Sequence, residues 1–273
     1  GRSPAQHGKP RDGVGRRAAY VGKVKDDQLG AIFAHDLRAQ GADFDTPLAP
    51  KDSEAETGRS MILVSPDGER SMNTYLGWSE FLAASDIDEA QMADAEWIYL
   101  EGYRFDGPDS VAAFDKAIAA CKGAGGQVSI TLSDPFCVER HRDAFLGLIR
   151  DHVDLLFANE HELKSLYQTD DLDAAMAASV KDCAKVACTQ GAKGATIVTP
   201  SSRVHAPADA DRVVDATGAG DLFASGVLYG LTHGQNDEVA ARMGCAAAGE
   251  IIGHIGARPE TDLKTLFVSK GLL

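Results

Sequence analysis

Short apolar runs that alternate with longer amphipathic segments constrain the fold of this chain more than any other feature. The runs are "RAAYVGKV" near residue 20, "WIYL" at 97, "QVSITL" at 127, "DLLFA" at 154, "KVACT" at 185, "ATIVT" at 195 and the following "RVHA". Between them, apolar residues recur three or four positions apart around residues 27–40, 108–122, 139–151, 160–167 and 173–181. Strands that alternate with helices in this way predict an α/β fold with a largely parallel sheet covered by helices. From residue 218 onward the pattern is mainly helical.

One segment near the start breaks this alternation. Two extended runs flank the turn-forming tripeptide Pro66, Asp67 and Gly68, so residues 58–77 are predicted to form a β-hairpin. A hairpin inserted early into an α/β protein is a candidate lid. The alternative is an edge hairpin with no role beyond packing, and the segment alone favours that alternative.

Size and composition limit the class of protein. The 273 residues, 44% apolar and 25% charged, suffice for one large α/β domain or two small ones. No apolar run approaches the ~20 residues that a membrane-spanning helix needs, and the first residues lack the apolar core of a secretory signal. We therefore expect a cytoplasmic protein without a membrane partner. The five cysteines are odd in number and form no Cys-x-x-Cys pair, which favours buried free thiols over disulfides or a zinc site.

The charge distribution sets the first segment apart. A formal net charge of −14 argues against nucleic acid as a partner, because binding to a phosphate backbone needs a basic face. Residues 1–17 carry +4, so the remainder of the chain carries −18. Residues 1–16 are also rich in glycine and proline and show no apolar periodicity, which predicts an irregular structure for them.

The stretch "DATGAGDLFASG", residues 215–226, has the composition of an anion site. We predict that a strand ends at Val213 and Val214 and that a helix begins after the glycines. Unobstructed backbone N–H groups at the start of a helix, together with the helix dipole, attract phosphate groups. Glycine at positions 218 and 220 allows the backbone to approach such a group closely.

Asp221 needs a separate explanation, because a carboxylate beside an anion pocket repels the bound anion. A base that accepts the proton of an attacking hydroxyl is one reason for its presence. An acid in the first turn of a helix is also common and mildly stabilising. On this residue alone, the second interpretation is favoured.

Two more polar motifs follow predicted strands. "NEHE" follows "DLLFA", where Asn159 and Glu162 have the spacing of a helix-capping box. "TQGAKG" follows "KVACT", where a β-turn between neighbouring strands explains the glycines without any ligand. Open α/β sheets bind ligands at the carboxyl ends of their strands, which is where all three motifs are predicted to lie.

Together, the three motifs resemble those of the ribokinase-like (PfkB) carbohydrate kinases in order and in spacing. Only Ala216 departs from the family pattern within "DATGAGDLFASGVL", where a small hydroxyl residue is usual. The resemblance implies a ribokinase-like fold: a doubly wound, mostly parallel sheet with helices on both faces and a small β-sheet lid. Residues 17–273 would form this kinase domain, and residues 58–77 would belong to the lid.

In these kinases the glycine-rich motif supplies the anion hole and the catalytic base. By resemblance, Gly218, Ala219 and Gly220 would stabilise the developing charge, and Asp221 would be the base. The substrate that donates the phosphoryl group would be ATP.

The other two motifs would hold the nucleotide and its metal. By resemblance, Asn159 and Glu162 would position Mg²⁺ and its waters near the phosphates. Thr189, Gly191 and Gly194 would lie along ATP.

Further stretches are similar to the bacterial adenosine-kinase-like branch of the family. They are "AAYVGKVKDDQLG", "TGRSMILVSPDGERSMNTYLG", "YLEGY" and "HIGARP". The resemblance implies that the lid closes over the acceptor, and it suggests a monovalent-cation loop, for K⁺, at Asp215 and the backbone of residues 253–256. Lids of this family can be shared across dimers, so the resemblance allows a homodimer and does not decide the oligomeric state.

The first residues depart from the family pattern. Relatives begin with a strand that carries a substrate-binding aspartate, then a Gly-Gly-x-x-x-Asn segment, whereas "GRSPAQHGKPRDGVG" stands here. A truncated start, a shifted reading frame and a lineage-specific loss each account for this difference, and the sequence does not choose among them.

These observations lead to one functional prediction and two alternatives. We predict phosphoryl transfer from ATP to a primary hydroxyl of a nucleoside or sugar, with adenosine favoured by the subfamily resemblance alone. A fructokinase or ribokinase-type sugar kinase is the first alternative. A nucleotide-binding homologue with impaired catalysis is the second, because the substrate motif of the first strand is missing.

Overall fold

The computed structural model of the chain describes residues 17–68, 70–107, 109–210 and 212–273, and the backbone of residues 6–8. It confirms an α/β fold in which mixed β-structure is flanked by helices. The strands are β1 (Gln6–Gly8), β2 (Ala18–Ala19), β3 (Ala42–Asp43), β4 (Arg59–Val64), β5 (Arg70–Tyr75), β6 (Ala95–Glu101), β7 (Gln127–Thr131), β8 (Leu155–Asn159), β9 (Lys185–Thr189), β10 (Ala195–Val198) and β11 (Arg203–Ala206). The helices are α1 (Gln28–Ala39), α2 (Glu89–Asp94), α3 (Ser110–Gly123), α4 (Pro135–His152), α5 (Glu160–Tyr167), α6 (Leu172–Asp182), α7 (Ala219–Thr232), α8 (Asp237–Ile252) and α9 (Leu263–Ser269).

The chain divides into two compact units. The described residues of the first unit run to Met61 and then from Asn73 to Asp154. Those of the second unit are Ile62–Met72 and Leu155–Leu273. The three motifs of the sequence all fall in the second unit.

The first unit is built around β6 and β7, which pair in parallel. Strand β1 pairs antiparallel with β6 and with β2, and β2 pairs in parallel with β3. Helix α3 packs on β6 and β7. The apolar side chains of Ile98, Leu100, Val128 and Ile130 on these strands are buried, as expected for strands covered by helices.

Strand β1 corrects the prediction that residues 1–16 are irregular. Residues 6–8 form a strand between β6 and β2, whereas the other residues of this segment lie outside the described part of the chain. Backbone N–H and C=O groups pair along a sheet edge whatever their side chains are, so apolar periodicity was a poor guide here.

The second unit contains the strand order β11-β10-β9-β8. Strands β8 and β9 are parallel, whereas β10 pairs antiparallel with both β9 and β11. The loop between β9 and β10 is short, and a parallel pair needs a crossover of a dozen or more residues, so these strands must be antiparallel. Helices α5 and α6 pack beside β8 and β9, and α8 packs beside β10 and β11.

The predicted strand before the glycine-rich motif is wrong. Val213 and Val214 belong to no strand, and Val214 lies in a bend. The backbone N–H of Val214 donates to the carbonyl of Ile252 at 2.7 Å, at the end of α8. The last carbonyl groups of a helix have no partner within the helix. Here the Ile252 carbonyl accepts the hydrogen bond that a neighbouring strand would otherwise accept from Val214.

The predicted hairpin is present as the two-stranded sheet of β4 and β5. Its tip belongs to the second unit, where the Gly68 carbonyl accepts a hydrogen bond of 3.3 Å from the Ala216 N–H. Gly68 has a φ of +82°, and a side chain there would meet Val213 Cγ1 at 2.8 Å. The tip of the hairpin therefore packs against the glycine-rich motif.

The cysteines are buried free thiols, as the sequence indicates. Burial raises the pKa of the Cys137 and Cys188 thiols to about 12, so both stay protonated at neutral pH. Among the described helices, none has the length and apolar character needed to cross a membrane.

The packing of α7 against α8 in the second unit depends on glycine. A side-chain carbon at Gly226 would lie 2.6 Å from the carbonyl oxygen of Met243 and 2.8 Å from the Cα of Gly244. Real carbon atoms do not approach so closely, so any larger residue at Gly226 must push the two helices apart.

We predict that Gly226→Ala destabilises the protein by about 1–3 kcal/mol, because overpacking displaces neighbouring backbone. Gly147→Ala in α4 is the matched control, because a side-chain carbon at Gly147 would meet nothing within 4 Å. Alanine at Gly147 is expected to stabilise its helix by about 0.5–1 kcal/mol. Thermal unfolding of both variants measures the difference, and a midpoint for Gly226→Ala equal to that of Gly147→Ala would contradict the packing argument.

Candidate active site

The start of α7 differs from the starts of most other helices. Helices α1, α2, α4, α5, α6, α8 and α9 each begin at an Asp or Asn whose side chain caps the backbone. Helix α7 begins at Gly218, which has a φ of +85°, and no described side chain caps it. At Gly220 an added side-chain carbon would meet nothing within 4 Å. The open space beside Gly220 fits the close approach of a phosphate to the start of α7.

Asp221 lies in the first turn of α7 and is half-buried. Two residues later, the Phe223 ring packs edge-on against Phe157 of β8, with 6.2 Å between ring centres. This contact places the start of α7 beside the carboxyl end of β8. The first turn of α7 therefore lies near the strand that leads into the Asn159 motif.

The structure brings the other two motifs to the same sheet edge. Asn159 and Thr189, the last residues of β8 and β9, are partners in the parallel register. Gly191 and Gly194 follow in the loop after β9, with φ values of +56° and +97°. A side chain at Gly194 would meet the Ala206 carbonyl oxygen at 2.1 Å, so this loop needs glycine for its own conformation.

Asn159 and Glu162 form the capping box that their spacing allows. The Asn159 Oδ1 accepts from the backbone N–H of Glu162 at 2.9 Å, and the Glu162 Oε2 accepts from the backbone N–H of Asn159 at 2.8 Å. The Asn159 Nδ2 donates to the Glu162 Oε1 at 2.6 Å. Glu162 is only 5% exposed, so its carboxylate is fixed in place.

This pair also fits a magnesium ion held through water. Each carboxylate oxygen can accept more than one hydrogen bond, so Glu162 has capacity left beyond the capping box. Oxygen-rich groups and water are the ligands that Mg²⁺ prefers. Among the residues described, no group of three or more His, Cys, Asp or Glu side chains is arranged to hold a metal directly.

Asp215 is the most buried acid of the site, at 2% exposure. Its Oδ1 accepts from the Thr217 N–H at 2.9 Å, and its Oδ2 accepts from the Gly256 N–H at 3.0 Å. Burial acts to raise the pKa of the Asp215 carboxyl, but hydrogen bonds from Thr217 and Gly256 outweigh it, and the pKa lies below its ordinary value. Asp215 is therefore an anion that joins two loops.

Sequence patterns missed a group of residues at the carboxyl ends of β6 and β7, in the first unit. Phe136 is 71% exposed although it opens α4, and Tyr103 after β6 is also exposed. Between them, Ser133 adopts a φ of +72° and hydrogen bonds to Glu101. Strained non-glycine residues cluster at functional sites. The signal available in the sequence was "SDPF", in which Asp134 caps a helix that then exposes an aromatic ring.

The fold and this site define a class of protein: an α/β protein in which a helix begins at a glycine and carries an acid in its first turn, near the carboxyl ends of parallel strands. The model of the family described as "pfkB family carbohydrate kinase" matches residues 12–263. The chain belongs to this family, and it is thus a kinase-type phosphotransferase.

Relatives with different acceptors resemble the chain. The ATP-dependent ribose-1-phosphate kinase of Halopiger xanaduensis is 30% identical over 257 residues, which cover 93% of this chain and 81% of the relative. Among solved structures, a probable sugar kinase from Rhizobium etli CFN 42 is 46% identical, with a TM-score of 0.91 over 95% of this chain and 78% of the other. The adenosine kinase from Sinorhizobium meliloti is 44% identical, with a TM-score of 0.91 over 94% of this chain and 78% of the other.

We predict that Asp215→Asn lowers the free energy of unfolding at pH 7 by about 1–3 kcal/mol, because the amide NH₂ cannot accept one of the two backbone N–H groups. The lowered pKa of Asp215 gives stability that is present above its unfolded pKa of about 3.9 and is lost as the pH falls below it. Urea unfolding of both proteins between pH 7 and pH 3 measures this effect. The difference should shrink below pH 4, and a constant difference would contradict the assignment of an ionised Asp215.

Proposed function

We propose that the chain transfers the γ-phosphoryl group of ATP to a primary hydroxyl of a nucleoside, with adenosine as the favoured acceptor. The start of α7 is the observation that carries this proposal. It combines a glycine-lined helix start, which no described side chain caps, with Asp221 in the first turn of the same helix, near the edge where β8 and β9 end.

Asp221 takes the proton from the attacking hydroxyl in this proposal. The hydroxyl oxygen forms a bond to the γ-phosphorus, and the bond from that phosphorus to the bridging oxygen of ADP breaks. The backbone N–H groups of Gly218, Ala219 and Gly220 stabilise the negative charge that develops on the phosphoryl oxygens.

The neighbouring motifs hold the nucleotide. Thr189, Gly191 and Gly194 line it along the loop after β9. Asn159 and Glu162 hold the waters of Mg²⁺, an ion that neutralises phosphate charge when it is bound.

Three further assignments belong to the proposal. The ionised, buried Asp215 and the backbone of residues 253–256 hold a monovalent cation such as K⁺, and the negative charge of Asp215 supports this. The β4–β5 hairpin acts as a lid, supported by its exposed apolar side chains such as Met61 and Leu63. The same exposed side chains support a homodimer in which the hairpin is covered.

The preference for adenosine rests on the 44% identity to an adenosine kinase. A sugar kinase is the second candidate function, favoured by the 46% identity to a probable sugar kinase.

We predict that Asp221→Asn lowers turnover by at least about 100-fold, which is the usual contribution of a general base, while ATP binding is retained. Asp173→Asn is the matched control, because Asp173 is likewise an acid in the first turn of a helix, α6. Steady-state ADP formation and calorimetry with MgATP measure the two properties. Near-normal turnover of Asp221→Asn, or an equal loss in Asp173→Asn, would show that Asp221 only stabilises its helix.

A further inference from the structure

The loop after α8 lies against the glycine-rich motif in the second unit. Its Gly256 N–H donates to Asp215, and Ala257 lies 3.4 Å from where a side-chain carbon would stand at Gly218. The loop therefore packs against Gly218, where α7 starts. Whatever fixes the loop also fixes the position of the first turn of α7.

Glu250 fixes the far end of this loop. Its Oε1 accepts from the backbone N–H of Glu260 at 2.9 Å and of Thr261 at 2.7 Å. The Glu250 side chain is only 8% exposed, and its Oε2 lies 3.5 Å from the Nε2 of His254. The carboxylate thus bridges the last turn of α8 and a segment ten residues further along the chain.

The position of Glu250 is unfavourable for its helix. A negative charge in the last turn of a helix opposes the helix dipole. The two hydrogen bonds that the Glu250 carboxylate accepts from the Glu260 and Thr261 N–H groups offset this cost. Because α8 needs no acid at this position, the role of Glu250 lies in the loop and not in the helix.

A continuous set of contacts runs from Glu250 to the proposed phosphate site. Glu250 accepts hydrogen bonds from the N–H groups of residues 260 and 261. Within the same loop, the Gly256 N–H donates to Asp215, which also accepts from the Thr217 N–H. Gly218 and the first turn of α7 follow directly. Held at both ends, the loop from residue 253 to 261 has little freedom to shift.

We propose that Glu250 is a positioning residue for phosphoryl transfer, which keeps the start of α7 and Asp221 in register by closing the loop of residues 253–261. The inference rests on the proposed function. Glu250 itself contacts no reacting atom, because its carboxylate accepts hydrogen bonds from the Glu260 and Thr261 N–H groups.

The test compares Glu250→Ala with two conservative variants. Glu250→Ala should lower kcat by about 10- to 100-fold, the range expected when a reacting group is misplaced by about 1 Å, with little change in the KM for the acceptor. Glu250→Gln keeps an oxygen that accepts from both N–H groups and should retain most of the kcat. Glu250→Asp keeps the charge but shortens the reach, so its kcat should fall between these values.

The matched control is Asp171→Ala. Asp171 also accepts from two backbone N–H groups, those of Asp173 and Ala174, but at the start of α6. Its loss should leave kcat unchanged. An equal fall of kcat in Asp171→Ala, or a kcat of Glu250→Gln as low as that of Glu250→Ala, would overturn the positioning role.

Amide hydrogen exchange separates this inference from the proposed function, because it needs no turnover. In Glu250→Ala the amides of Gly256, Glu260 and Thr261 should exchange faster than in the unaltered protein, while those of α6 stay unchanged. Unchanged protection of Gly256 would overturn the inference even if kcat fell. Faster exchange in a protein that transfers no phosphate to any acceptor would refute the proposed function and, with it, the catalytic part of the inference.

Discussion

The pair of hydrogen bonds that Asp215 accepts is the interaction on which the site depends. One comes from Thr217, just before α7, and the other comes from Gly256, in the loop after α8. The carboxylate is buried, so its ionised form persists only because these donors compensate for lost water. Through Asp215, two segments about forty residues apart in sequence act as one rigid support for the first turn of α7.

That support allows the start of α7 to remain without a side-chain cap. Most helices of the described chain satisfy their first N–H groups with an Asp or Asn, which stabilises a helix by about 1 kcal/mol. Gly218 gives up this stabilisation, and the chain leaves open space for an anion beside Gly220. The proposed activity thus relies on local stability that is supplied by Asp215 and, one step further away, by Glu250.

Local patterns predicted much of this molecule, because they depend on residues close in sequence. The capping box of Asn159 and Glu162, the β4–β5 hairpin and strands β6 to β11 all follow from spacings of a few residues. Long-range contacts were not predictable in this way. Three features each depend on a partner that spacing does not reveal. They are the pairing of β1, the position of Val214 outside the sheet, and the hydrogen bond that Glu250 accepts from the Thr261 N–H. The exposure of Phe136 was also missed, since an aromatic residue at a helix start is normally expected to be buried.

The central claim is that the start of α7 supports phosphoryl transfer to a hydroxyl acceptor. Its most direct test is ADP formation by the purified chain with MgATP, measured without acceptor and with adenosine, ribose or fructose. The account predicts that ADP forms only when an acceptor is present, and fastest with adenosine. Binding of ATP, seen by calorimetry, together with no acceptor-dependent ADP from any of the three would contradict it and would favour a nucleotide-binding homologue that has lost catalysis.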